Sequence, residues 1–173
     1  MLVAIKTILN PKVAKIKFEE ACKTLVNTSV TIPPSTDWQI VYSGFPLLKI
    51  EISVDDSPRI CLILDCTNYD YEGPIVRYEN LKGDAVRWAE VRKLVLEYPG
   101  KINNQPRMIN DVILYPDGEG LVCRIGNEAY HQLHPETNWR EVRTQDQGKL
   151  EFIIDSSVRL FDPEKLKEFG ETS

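Results

Sequence analysis

Cys123, His131 and His134 are the residues of this 173-residue chain whose types and spacing come nearest to covalent chemistry. The cysteine follows Gly118 and Gly120, where the absence of a β-carbon lets backbone approach another group closely. A thiolate is nucleophilic enough to form a thioester without a dedicated triad. The two histidines, the only ones in the chain, follow it shortly downstream. Free cysteine is also among the most buried residue types, so Cys123 reads as a packing residue too. Cys123, His131 and His134, with Glu128 or Glu136, are zinc-ligand types. The close pairs that make a zinc motif specific are missing, and Pro135 opposes a helix that would set both histidines on one turn. No metal and no cofactor is therefore expected.

Other catalytic templates fail on their spacing. Gly118 and Gly120 lack the Lys-Ser/Thr that completes a phosphate-binding loop, and no Gly-x-Ser-x-Gly elbow occurs. Asp55 and Asp56 read as a solvated turn rather than as an acid–base pair. Trp38, Tyr69, Tyr71, Tyr78 and Trp139 read as core and loop packing rather than as a stacking platform.

The totals narrow the classes of function. A net charge of -5, with basic residues scattered rather than run together, argues against nucleic acid or an anionic membrane as a partner. No apolar run approaches the roughly 20 residues of a membrane span. The opening Met-Leu-Val-Ala-Ile-Lys has no basic leader and no small-residue cleavage site, so it reads as structure. Cys22, Cys61, Cys66 and Cys123 are far apart in a chain too large to need staples. Cys61 and Cys66 fall on one candidate strand with an odd separation, which turns them to opposite faces. Free thiols and a cytoplasmic location are the expectation.

The elements that must position these residues follow in a definite order. Asn10-Pro11 starts a helix whose stripe is Ala14, Phe18, Ala21, Cys22 and Leu25. Residues 31–36 form a linker rich in proline and hydroxyl side chains. Three strand-like segments come next. Trp38, Ile40 and Tyr42 alternate with Gln39 and Val41. Leu48, Ile50, Ile52 and Val54 alternate with Lys49, Glu51 and Ser53. Asp55-Asp-Ser-Pro58 turns the chain into Arg59–Asp65, which is apolar on both faces. Short connections point to an antiparallel meander.

An irregular aromatic stretch, Thr67–Tyr78, leads to a second helix. Asp84 caps it, Trp88, Val91, Leu94, Val95 and Tyr98 form its stripe, and Pro99-Gly100 ends it. Val112–Tyr115 is apolar, and Pro116–Gly120 is turn chemistry delivering Leu121-Val-Cys123. Leu150–Phe161 fits a helix better than a strand and stops at Pro163. The fold class is α+β: a meander sheet of about four antiparallel strands, with an N-terminal, an inserted and a C-terminal helix. Residues 1–173 form one domain, with the inserted helical segment at about 83–105.

Taken together, these residues resemble the ubiquitin-conjugating enzymes. That family's third strand ends in a Tyr-Pro-aromatic-x-Pro-Pro-x-Val stretch. Tyr69-Asp-Tyr-Glu-Gly-Pro-Ile-Val76 is similar to it, with Pro74 and Val76 in register and Tyr71 at the aromatic place. Gly120-Leu-Val-Cys123 resembles the family's Gly-x-Ile-Cys active-site sequence, and Trp139 falls where the family has a Trp after its cysteine. Leu150–Phe161 is similar to the helix that follows. The likeness spans roughly residues 12–163 through several loose motifs in the right order.

The resemblance implies a UBC-like fold in which Cys123 carries the C-terminus of a ubiquitin-like protein as a thioester. An activating enzyme would load it, and an amine of a protein substrate would receive the modifier. Where the family has His-Pro-Asn before its cysteine, this chain has Tyr115-Pro-Asp117. An ionised aspartate cannot donate a hydrogen bond to an oxyanion, so Asp117 suits orienting or deprotonating the amine. Asn127, His131 or His134 would supply the donor. The divergence is similar to that of bacterial ubiquitin-conjugating-like proteins, some from antiviral defence systems. A catalytically inactive module of the same fold that binds a ubiquitin-like protein stands as the alternative, and a zinc-binding module on Cys123, His131 and His134 as a third.

Overall fold

The computed structural model describes residues 10–26, 36–69, 71–94, 101–102, 105–106, 112–114, 120–122 and 139–172. Helix α1, Pro11–Val26, begins as its sequence dictates. The Asn10 side chain accepts the Val13 N–H at 3.3 Å, and proline at the first position forfeits no helical bond. Ala14, Phe18, Cys22 and Leu25 are buried on one side, while Val13 and Ile16 face outward.

Four strands form one antiparallel sheet in the order β1-β2-β3-β4: β1 Thr36–Gly44, β2 Leu47–Val54, β3 Ser57–Asp65 and β4 Ile75–Glu79. The meander is as expected, but its last strand is a correction. It comes from the stretch read as irregular, where Val76 and Tyr78 turn into the core and Ile75, Arg77 and Glu79 stay half-buried. Five residues give too little alternation to stand out beside Tyr69, Tyr71 and Pro74.

A second correction concerns β1. Strict alternation would put Trp38, Ile40 and Tyr42 on one face. A bulge shifts the register, so Ile40 opposes the core residue Ile50 while Tyr42 opposes the outward-facing Lys49. Tyr42 is consequently 55% exposed.

The inner face of the sheet is continuous: Leu48, Ile50 and Ile52 of β2, Ile60, Leu62 and Leu64 of β3, and Val76 and Tyr78 of β4 are all buried. On the outer face Cys61 and Ile63 are buried as well. Lys49 opposes Ile63 and Glu79 opposes Cys61, so the 3.0 Å Lys49–Glu79 ion pair reaches across β3 at these two residues.

The β2–β3 hairpin turns on Asp55 and Asp56, with φ of 51° and 59°. Two left-handed residues in succession match the tight turn that a right-twisted hairpin prefers, and they favour glycine at the second place. Asp56→Gly is therefore expected to stabilise the protein by on the order of 0.5 kcal/mol, read as a higher urea midpoint at unchanged m-value.

Asp84 does not cap the second helix. It is held by the preceding turn: the Asn80 amide donates to its carboxylate at 3.2 Å, and the Asn80 side-chain oxygen accepts its N–H at 2.9 Å. The chain then runs extended against β4, with Val86 N–H donating to the Tyr78 carbonyl. Helix α2, Trp88–Leu94, starts four residues later, where Glu90 reaches back to the Arg87 N–H at 3.0 Å. Val91 and Leu94 are buried, and the Leu94 carbonyl accepts the Asp162 N–H at 2.8 Å. The inserted helix thus docks on this chain's own C-terminal segment. Val95, Tyr98, Pro99 and Gly100 lie outside the described residues. Two small hairpins follow, β5 Lys101–Ile102 with β6 Gln105–Pro106, and β7 Val112–Leu114 with β8 Gly120–Val122.

The C-terminal part holds α3 Trp139–Val142, a 3-10 turn Asp146–Gly148, α4 Leu150–Val158 and α5 Pro163–Thr172. Leu150, Ile153, Ile154, Ser157 and Val158 bury one face of α4, as a helical reading requires. Pro163 was expected to stop a helix and instead opens one. Asp162 accepts the Glu164 N–H at 3.0 Å, and proline takes the first helical position. Polar ties fix these helices to the sheet. Tyr78 Oη donates to the Ser157 carbonyl at 2.9 Å, Trp38 Nε1 to Asp155 at 3.2 Å, and Arg59 Nη1 to the Lys167 carbonyl at 3.0 Å. The result is α+β, with α1, α2, α4 and α5 sharing one core with the inner face of the sheet. No helix among the described residues is long and apolar enough to cross a membrane.

Gly148 marks a close passage in this part. A β-carbon there would lie 2.3 Å from the Arg143 α-carbon and 2.5 Å from the Val142 carbonyl oxygen, both backbone atoms that cannot swing aside. Gly148→Ala should cost about 2 kcal/mol, measurable as a lowered urea midpoint.

Candidate functional site

The residues that carry the chemistry read from the sequence, Asp117, Cys123, Asn127, His131 and His134, lie outside the described residues, as do Glu128 and Glu136. What is described is the strand that leads to them. β8 pairs with β7 through Val112 opposite Val122 and Leu114 opposite Gly120. It runs beside β4 and close to α2. Cys123 is the next residue in the chain after β8. The turn expected at Pro116–Gly120 falls, apart from Gly120, outside the described residues.

The other three cysteines are free, and each is committed to packing. Cys66, just past β3, is fully buried. Removal from water pushes its thiol well above the ordinary range, and nearby Cys22 and Asp65 push it further. Burial also raises the Cys22 thiol, partly offset by a hydrogen bond with Ser43. On the outer face of β3, burial raises the Cys61 thiol and the Lys49 ammonium lowers it in part. Raised pKa and burial together make poor nucleophiles of all three.

The aromatic stretch between β3 and β4 is ordered by its own polar side chains. Asp65 Oδ1 accepts from the Thr67 backbone N–H at 3.0 Å and from the Thr67 hydroxyl at 2.6 Å. The buried Asn68 donates its side-chain amide to Glu72 at 2.8 Å, while its backbone carbonyl accepts the N–H groups of Tyr71 and Glu72. This turn meets α3. Tyr69 and the buried Trp139 lie with ring centroids 6.5 Å apart, and the Arg140 guanidinium sits 5.2 Å above the Tyr71 ring. The expectation of loop packing describes Tyr69 and Trp139 well. Tyr71, 47% exposed, keeps much of its ring in solvent.

A surface groove of about 440 Å³ opens beside this contact. Lys17, Glu20, Ala21 and Thr24 of α1 form one wall, and Tyr69, Trp139, Arg143 and Thr144 the other. Sequence reasoning did not find it. The four α1 residues recur at helical spacing beside the apolar stripe, which is a weak signal. The opposing wall comes from two distant places, Tyr69 and the segment that holds Trp139, Arg143 and Thr144, and nothing local to any of these segments announces the pairing. The groove offers paired charge from Lys17 and Glu20, 3.1 Å apart, hydroxyls from the two threonines, and aromatic surface. Such a lining can hold a polar peptide or side chain but presents no cysteine or histidine. Among the described residues no three His, Cys, Asp or Glu side chains gather as a metal site.

No family model matches the chain, and no curated protein is significantly similar to it.

Proposed function

We propose that this protein is a conjugating enzyme of UBC-like fold that carries the C-terminus of a ubiquitin-like protein on Cys123. The reading rests on the resemblance in sequence. The observation that carries it is the distribution of thiols: Cys22, Cys61 and Cys66 are consumed by the core, and the remaining cysteine follows a strand laid beside β4. The order of α1, a four-stranded meander and C-terminal helices, and the contact between Tyr69 and Trp139, support the same reading.

In the proposed reaction the Cys123 thiolate attacks the thioester carbonyl on an activating enzyme. The new C–S bond forms as the old one breaks, and the activating enzyme's cysteine leaves as thiolate. Exchange between two thioesters is near thermoneutral, so positioning and thiolate fraction set the rate. An unperturbed cysteine of pKa about 8.5 is only a few per cent ionised at neutral pH. An amine of a protein substrate then attacks the Cys123 thioester carbon and loses a proton. The C–N bond forms, the C–S bond breaks and Cys123 leaves as thiolate, with Asp117 orienting or deprotonating the amine and Asn127, His131 or His134 donating to the oxyanion.

The test is a charging assay with the modifier and its activating enzyme. The wild type should form an adduct that thiol reductant removes, and Cys123→Ser an oxyester that survives reductant. No adduct on Cys123 by mass spectrometry defeats the proposal. An inactive module that binds a ubiquitin-like protein is the second reading, favoured by Asp117 standing where an amide donor would serve the oxyanion. It predicts complex formation without an adduct. Zinc in the purified protein, lost on Cys123→Ser, would instead support the metal-binding reading.

A further inference from the structure

We draw no further inference here: the strongest candidate, the open groove of about 440 Å³ between α1 and the Tyr69–Trp139 contact, mixes a paired lysine and glutamate with hydroxyl and aromatic surface, and nothing among the described residues shows what occupies it.

Discussion

Brief treatment of the native protein with iodoacetamide is expected to label Cys123 and spare the other three cysteines. Alkylation needs a thiolate that reagent can reach. Cys66 is fully buried and Cys22 and Cys61 nearly so, and all three thiols are held protonated by burial. Each must wait for an opening of the core. If that opening costs about 4 kcal/mol, its labelling slows by roughly a thousandfold relative to an accessible thiol.

The measurement is peptide mass spectrometry over a time course, with a urea-unfolded sample as the reference for full reactivity. Labelling of all four at similar rates would contradict the burial described above. Protection of Cys123 equal to that of Cys66 would remove the proposed nucleophile. The pH dependence has a definite sign. In the folded state Cys22, Cys61 and Cys66 hold their protons beyond the ordinary thiol range, whereas the unfolded chain releases them there. The unfolded state then binds fewer protons than the folded one, so stability should fall as pH climbs above about 9.

How far the sequence led depended on whether the signal was local. The α1 stripe and the β2 alternation are properties of one segment against one core, and both appear where periodicity put them. The errors share a cause, which is a local rule overridden by a neighbour. Asp84 is a good cap by type, but Asn80 holds it in the turn first. Pro163 ends helices in general, yet an aspartate just before it makes the pair a helix start. Tyr42 obeys period two until a single bulged residue turns it over. The groove was illegible for a different reason: its two walls meet only after folding, and the wall facing α1 is itself assembled from Tyr69 and Trp139, which are far apart in the chain. For Cys123, sequence alone locates the thiol along the chain, directly after the β8 strand that lies beside β4.

Leu62→Ala should be among the most damaging single changes in the sheet, at about 3–4 kcal/mol. Leu62 is fully buried in β3, with paired strands on both sides. It opposes Ile50 on β2 and Tyr78 on β4. Those neighbours are themselves pinned. Ile50 is fully buried, and Tyr78 is held by its hydrogen bond to the Ser157 carbonyl and by an edge-on contact with Phe161, ring centroids 4.9 Å apart. Side chains fixed in this way cannot collapse into the space, so the cavity cost adds to the lost transfer energy. For a domain of this size the loss corresponds to a fall in Tm of roughly 6–16 °C.

Tyr78→Phe separates packing from polarity at the same place. It keeps the ring against Phe161 and removes only the hydroxyl, so about 1 kcal/mol is expected. Urea titrations of the two variants, at unchanged m-value, should therefore differ by a factor of about three in destabilisation. Equal losses would mean that the core is plastic around Leu62 and that the Tyr78 hydroxyl anchors α4 to the sheet. A small Leu62→Ala effect alone would contradict the continuous packed face on which β4, and the β8 strand beside it, depend.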